Sequence, residues 1–395
     1  MPGVGEQLSA LRLQRGWQPV PLREPVPVDA LPTPALIVEV AQLEANLQRM
    51  NSFLAARGKR VRAHAKMHKC PIIALRQIAL GAVGICAAKL AEAEVLRAAG
   101  VFDLLVTSPL ATRDKMQRAV QLSILSEGRA AFVIDDMGST LALADLARQS
   151  GAQVAVLVDI DPDLGRTGVR GGDGVMRLID AVGTQPSLRF LGLQQYAGQV
   201  MHIKGHGERA RRSVELWQSA LAIRQRVIDA GVAVGILTGG GTGSYDIDCD
   251  LPHITDLQVG SYAFMDEEYL QIGSRDGDRF DDFAPSLFVL ATAISQPRAG
   301  AVTLDAGYKS FAAETVPPVP VDLPGTKFRF AGDEHGVLLF DKDSAGRNEL
   351  PRVGDRVRLV TSHCDPTVNL YDYLFPVVNG MVSELWPIAA RGCSW

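Results

Sequence analysis

The sequence predicts an α/β protein in which a TIM-like (β/α)8 barrel is followed by an all-β domain. Three observations carry that prediction. Eight strand-like runs alternate with helical patterns between about residues 60 and 260, as parallel strands joined by crossover helices require. After about residue 285 the runs become short and are broken by Gly, Pro and Asp, without helical periods. No Gly-x-Gly-x-x-Gly follows an early strand, so the alternative, a doubly wound open sheet, lacks its fingerprint.

In chain order, residues 1–33 are proline-rich and suit an extended arm that packs elsewhere or crosses to a partner subunit. Residues 35–40 (ALIVEV) read as a strand, and 41–57 as an amphipathic helix with Leu43, Leu47, Met50 and Leu54 on one stripe. The barrel strands are expected at 60–65, 83–87, 104–107, 131–134, 154–160, 190–195, 232–237 and 256–259. Helices are expected between them at 88–99, 113–122, 139–149, 175–182 and 209–230. The β runs then fall at 287–294, 302–304, 328–330, 337–340, 357–360 and 374–378. The strand at 35–40 is one too many for the barrel. The expected division is therefore 1–40 as arm and strand packing with the β domain, 41–284 as barrel, and 285–395 as β domain.

Composition narrows the function. The 395 residues are 47% hydrophobic and 21% charged, ordinary globular values. A net charge of −4, without a Lys/Arg run interleaved with aromatics, argues against nucleic-acid binding. No apolar run approaches the roughly 20 residues that span a bilayer. The N-terminus lacks the charged start and apolar centre of a signal peptide, so a cytoplasmic location is expected. Five cysteines at irregular spacings, with no CxxC pair, fit neither a disulfide framework nor a zinc ribbon.

The chemistry begins at Arg62-Ala63-His64-Ala65-Lys66-Met67-His68-Lys69-Cys70, where a strand should turn into a helix. Catalytic groups of α/β barrels sit at such strand ends. A lysine desolvated there would have a lowered pKa and could attack carbonyls as the neutral amine, so Lys66 is the candidate Schiff-base lysine. A basic surface loop is the competing reading.

Two small turns follow the last two barrel strands. Thr238-Gly239-Gly240-Gly241-Thr242-Gly243-Ser244 can converge backbone N–H groups on an anion, with hydroxyls from Thr242 and Ser244, but lacks the Gly-Lys-Ser/Thr ending of a Walker loop. Gly260-Ser261-Tyr262 is the second, and barrels of this kind commonly bind phosphate in the loops after strands seven and eight. An amine at one end and a phosphate cup at the other fit pyridoxal 5′-phosphate. Tyr196, ending strand six, is placed to lie against the pyridine ring or reach its nitrogen; Arg166, after strand five, is placed to pair with a substrate carboxylate or the cofactor. Their plainer readings are a rim aromatic and a surface salt bridge.

In the β domain, Ser362-His363-Cys364-Asp365-Pro366-Thr367 offers an imidazole and a carboxylate two positions apart. On a strand these share a face and can bind one cation, Mn²⁺, Mg²⁺ or Zn²⁺; a hydrogen-bonded His/Asp pair is the alternative.

Taken together, TPALIVEV, RAHAKMHKCPIIALRQIALGA, TGGGTGSYD, GSYAFMD, DEHGV, SHCDPTVNLYD and WPIAARG resemble the D-threonine aldolase and D-3-hydroxyaspartate aldolase group. That group lies within the fold-type III pyridoxal phosphate enzymes, with alanine racemase and metal-dependent D-serine dehydratase. The resemblance implies that Lys66 carries the cofactor and that His363 and Asp365 hold a divalent metal, usually Mn²⁺. It implies cleavage of a D-β-hydroxy-α-amino acid to glycine and an aldehyde, with His64, His202 or a metal-bound water as base. His335 is a further histidine that can reach the site from the β domain. His-x-Asp, where dehydratase-like relatives present His-x-Cys, favours the aldolase over the alternative β-elimination. A homodimer is expected by analogy. Departures from the family pattern are Ala87-Ala88-Lys89, Thr107-Ser108-Pro109 and Tyr196-Ala197-Gly198, all on the active rim.

Overall fold

The computed structural model describes residues 16–312, 316–340 and 351–395. The first fifteen residues of the expected arm lie outside the described residues. Parallel segments form a closed cylinder in the order Ala63–His64, Ile85–Ala87, Leu104–Val106, Ala131–Ile134, Val154–Ile160, Leu188–Gln195, Ile236–Gly239, Asp256–Leu257 and Arg60–Val61. The first and last of these are halves of one run. Arg60 and Val61 pair with Asp256 and Leu257, whereas Ala63 and His64 pair with Ile85 and Cys86, so a single run closes an eight-position barrel. The fold class expected from the alternation is the one observed.

The strands are apolar because both faces are covered. Val154–Ile160 (VAVLVDI) is buried throughout, as a barrel strand between packed core and outer helices must be. Helices Pro71–Ala79, Leu90–Ala98, Arg113–Leu125, Met137–Gln149, Gly172–Gly183 and His206–Asp229 follow the first six strand positions. Pro71 sits where its missing N–H costs nothing, at the start of its helix. Asp136 and Thr112 cap theirs, accepting from Ser139 N–H at 2.8 Å and Lys115 N–H at 3.4 Å. Helix Val40–Ala55 buries the expected stripe of Leu43, Leu47, Met50 and Leu54. The seventh strand begins later than expected, at Ile236 rather than Val232. Val232 to Gly235 carry the chain from the end of helix His206–Asp229 back to the barrel.

The second sheet is built mainly of antiparallel pairs. Its long strand, Leu287–Arg298, pairs with Ala35–Glu39, Arg356–Val360 and Ala301–Leu304. Ala35–Glu39 is also bonded in parallel to Tyr373–Val377, so the early strand joins this sheet. Part of the proline-rich arm differs from expectation. Val20–Pro27 is a strand paired with Met381–Pro387, and its prolines are tolerated because it lies at the sheet edge. Among the described residues no helix is long and apolar enough to cross a membrane.

The barrel is tightest where strands six and seven meet. At Gly192, φ is +153° and a Cβ would lie 1.9 Å from the Ile236 carbonyl oxygen. Gly192→Ala should therefore destabilise the barrel by about 3 kcal/mol through overpacking and backbone strain, read as a lower urea midpoint. An unchanged midpoint would show that the two strands can separate freely.

Candidate active site

Lys66 lies on the 3-10 turn Ala65–Met67, at the carboxyl end of the barrel-closing run. Its backbone N–H donates to His64 Nδ1 at 3.3 Å. Lys69, in the same basic stretch, is taken out of contention by burial and by its ion pair with Glu92. The other Glu92 oxygen accepts from Ala88 and Lys89 N–H at 2.9 and 3.1 Å, so this cluster starts a helix. Lys66 keeps a side chain 39% exposed at the barrel mouth.

There its Nζ forms an ion pair with Asp365 of the second sheet. Burial opposes charge on Lys66, but Asp365 outweighs it, aided by Tyr196, and holds the ammonium above its ordinary range. The expectation of a lysine neutralised by desolvation is thus corrected: the carboxylate supplies the counter-charge that barrel walls lack. Burial likewise opposes charge on Asp365, and Lys66 and His363 overcome it, holding the carboxyl far below its usual range.

His363 and Asp365 meet, though not on a strand as expected. His363 is the extended cap of the short helix Cys364–Val368, and Asp365 lies in its first turn beside Pro366, which favours a helix start. His363 Nε2 is 3.6 Å from Asp365 Oδ2. The segment is held by the loop after the last barrel strand: Glu267 and Glu268 N–H donate to the Thr361 and Ser362 carbonyls at 3.0 and 3.1 Å, and Cys364 N–H donates to Asp266 Oδ2 at 2.8 Å. Glu268 Oε2 is 3.4 Å from His363 Nδ1, and Glu268 Oε1 is 3.7 Å from His202 Nδ1. His202 and His363 have ring centroids 6.4 Å apart, and His202 packs on Tyr269 at 4.6 Å. Burial lowers the His202 pKa, Asp266 opposing and His363 assisting. The nitrogen and oxygen facing each other on His363 and Asp365 suit a divalent cation. Among the described residues, no group of three or more His, Cys, Asp or Glu side chains is arranged to hold one.

The two glycine turns are neighbours. Tyr262 N–H donates to Thr242 Oγ1 at 3.1 Å. Backbone N–H groups of Gly240, Gly241, Thr242 and Ser261 donate to no described residue, although Gly240, Gly241, Thr242 and Ser261 are buried. Buried N–H groups need an acceptor, so this cradle fits an anion such as a phosphate. Glycine is required by close approach: a Cβ at Gly241 would lie 2.6 Å from Met201 Sδ, and one at Gly243 would lie 2.2 Å from the Met201 carbonyl. The turn therefore packs against the segment carrying His202. Ser244 is corrected: its hydroxyl donates to Asp248 Oδ2 at 2.5 Å and is not offered to a ligand. Gly260 adjoins the lysine strand, a Cβ there lying 3.3 Å from the His64 carbonyl.

Tyr196 and Arg166 lie at the mouth, the guanidinium 5.3 Å from the ring centroid. His64 has both nitrogens engaged, Nδ1 by Lys66 N–H and Nε2 by Thr107 Oγ1 at 3.3 Å. Burial, with Lys66 beside it, pushes its pKa down to about 3. Thr107, which opens the loop that departs from the family pattern, is thus a partner of this histidine. His68 is wholly buried: Nδ1 accepts from Cys70 N–H at 3.0 Å and Nε2 meets Gln77 Oε1 at 3.3 Å, while Gln77 Nε2 donates to Tyr262 OH. This chain links the lysine segment to the second glycine turn. His335 is exposed, between strands Thr326–Phe330 and Gly336–Phe340. Glu268, Asp266 and Tyr269 escaped the sequence reading. The signal was the acidic run Asp266-Glu267-Glu268, three residues beyond Gly260-Ser261-Tyr262.

Burial lowers the His68 pKa to about 4, below the roughly 6.5 of an unfolded histidine. As pH falls between these values the unfolded chain takes up the proton first, so stability is lost. Buried Asp159 and Asp248, raised by burial to about 6, act in the opposite sense. His68→Asn should therefore reduce the slope of unfolding free energy against pH by about 1.4 kcal/mol per pH unit between pH 4.5 and 6. Equal slopes in both proteins would contradict a neutral buried His68.

Two family models match the chain. Residues 38–267 match the alanine racemase N-terminal domain, and residues 286–377 match a putative serine dehydratase domain. A D-threonine aldolase of Arthrobacter sp is 39% identical over 376 residues, 95% of this chain and 97% of the relative. A 3-hydroxy-D-aspartate aldolase of Paracoccus denitrificans (strain Pd 1222) is 34% identical, covering 91% and 92% of the two chains. The crystal structure of D-threonine aldolase from Filomicrobium marinum superposes with a TM-score of 0.89 at 37% identity, covering 95% of this chain and all of that one. With the pyridoxal phosphate-type barrel, the lysine at its mouth and these relatives, the chain belongs to the D-threonine aldolase and 3-hydroxy-D-aspartate aldolase family.

Proposed function

We propose that this enzyme is a pyridoxal 5′-phosphate- and divalent-metal-dependent aldolase that cleaves D-β-hydroxy-α-amino acids, of the D-threonine or D-3-hydroxyaspartate type, to glycine and an aldehyde. The observation that carries the reading is the meeting of Lys66 with Asp365, because it sets the lysine of the barrel mouth beside a metal-type His/Asp pair. Lys66 would hold the coenzyme's aldehyde carbon, and the N–H cradle of Gly240, Gly241, Thr242 and Ser261 its phosphate. Gly260 and Tyr262 keep the second turn in place, and Tyr196, with the Arg166 guanidinium against its ring, would flank the coenzyme. His363 and Asp365 would hold the metal, Mn²⁺ by the family's habit, with Mg²⁺ or Zn²⁺ as other fits.

When bound, the coenzyme supplies an electron sink for charge left at Cα, and the metal supplies Lewis acidity at the β-hydroxyl. The rest belongs to the chain. His202, kept neutral by burial and adjacent to His363, takes the β-hydroxyl proton. His64 serves instead to orient the lysine turn, since both its nitrogens are engaged. The exposed Arg166 can meet the substrate carboxylate.

Five free, buried cysteines support a reducing, cytoplasmic setting. A homodimer is part of the reading by analogy with related barrels.

D-Threonine and D-serine, supplied separately with and without Mn²⁺, test the reaction. Glycine plus an aldehyde, dependent on Mn²⁺, is expected; ammonia plus a 2-oxo acid would move the chain to the dehydratases. Lys66→Ala should lose the yellow cofactor absorbance and lower turnover on the order of 10³-fold or more. Retention of the band in that variant would place the linkage elsewhere.

A further inference from the structure

Glu268 stands between the two histidines that the proposed reaction uses. Its Oε2 is 3.4 Å from His363 Nδ1 and its Oε1 is 3.7 Å from His202 Nδ1. The side chain is 16% exposed, and Oε2 has no hydrogen-bond partner among the described residues. Its position is fixed by main chain, since Glu268 N–H donates to the Ser362 carbonyl at 3.1 Å, next to His363. The neighbouring Asp266 is already used by Cys364 and Tyr269 N–H, at 2.8 and 3.0 Å.

A carboxylate only accepts. At 3.4 and 3.7 Å it is hydrogen-bonded to neither ring, but its negative charge beside both Nδ1 atoms favours an N–H at each and leaves the lone pair of each neutral ring on Nε2. On His363, Nε2 is the atom 3.6 Å from Asp365 Oδ2. On His202, Nε2 is left free to accept a proton. We propose that Glu268 is a positioning residue that sets the tautomer and orientation of both imidazoles at once, making His363 Nε2 a metal donor and His202 Nε2 a proton acceptor. One side chain thereby couples metal binding to proton transfer. Metal-ligating histidines characteristically donate their second nitrogen to such a carboxylate, and its loss costs about 10–100-fold in metal affinity or activity. The inference rests on the functional reading above.

The test is a Mn²⁺ titration of cofactor-loaded protein, free Mn²⁺ being read by electron paramagnetic resonance, together with turnover at saturating Mn²⁺. Glu268→Gln removes the negative charge that faces both Nδ1 atoms, and turns an NH2 donor toward whichever ring its oxygen does not meet, so neither ring keeps its anionic partner. It should weaken Mn²⁺ binding about 10–100-fold while keeping the cofactor absorbance and thermal midpoint. At saturating Mn²⁺ its turnover should stay below wild type. In a His202→Ala background the same substitution should cause no further loss of turnover but the same loss of affinity.

Mn²⁺ affinity within two-fold of wild type, or an undiminished turnover loss in the His202→Ala background, overturns the inference. A wild-type protein that binds no Mn²⁺ sinks the functional reading and this one with it; a wild type that binds Mn²⁺ with a Gln variant that binds equally sinks this one alone. Should Glu268→Gln not fold, Glu268→Asp carries the test. Its shorter carboxylate cannot reach both rings, so retention of both affinity and turnover is the overturning result.

Discussion

The ion pair between Lys66 and Asp365 joins residues 299 positions apart and brings the two halves of the candidate chemistry together. Neither partner reaches the other without its own scaffold. Lys66 is held by a 3-10 turn on the run that closes the barrel, and Asp365 by a helix start clamped to the loop after the last barrel strand. Such a pair contributes little to stability, because removing two charges from water offsets most of their attraction. Its consequence is functional. The amine is stored as an ammonium and the carboxylate as an anion; a cation on Asp365 would take away the counter-charge, so that the lysine could give up its proton to water and meet an aldehyde as the neutral amine.

The barrel interior holds together the strands that carry this end of the molecule. On one side lies a small apolar cluster of Cys86, Leu105, Ala131, Val133, Ala155 and Leu157. On the other a buried polar file runs from Asp159 through Gln194, Gln258 and Thr238 to Asp256 and Arg62, with hydrogen bonds of 2.7–3.3 Å. A connected network of this kind fixes the strands that contribute to it. Those strands carry the two glycine turns and, through Arg62, the run that ends at the lysine.

Much of this was legible in the sequence because periodicity reports burial. Val154–Ile160 and the Leu43-Leu47-Met50-Leu54 stripe were read within a residue or so. The strand Val20–Pro27 was hidden by prolines that only an edge position permits. His363 and Asp365 were paired on the alternation of a strand, but they converge because a cap residue and a first-turn residue bend toward each other. The charge on Lys66 was misjudged for a related reason: its counter-ion comes from the other end of the chain, and no local window contains it. Glu268 was missed because an acidic run ordinarily means a solvated face. It became visible only when the two histidines on either side were placed.

The most direct measurement of this arrangement is the reactivity of Lys66 toward a trace acylating reagent at pH 8, read by mass spectrometry on cofactor-stripped wild type and Asp365→Asn. If Asp365 holds the ammonium, its neutralisation lowers the lysine pKa and raises labelling of Lys66 about ten-fold or more relative to surface lysines. Equal labelling in the two proteins would show that the carboxylate does not govern the amine, and the site as described would lose its centre.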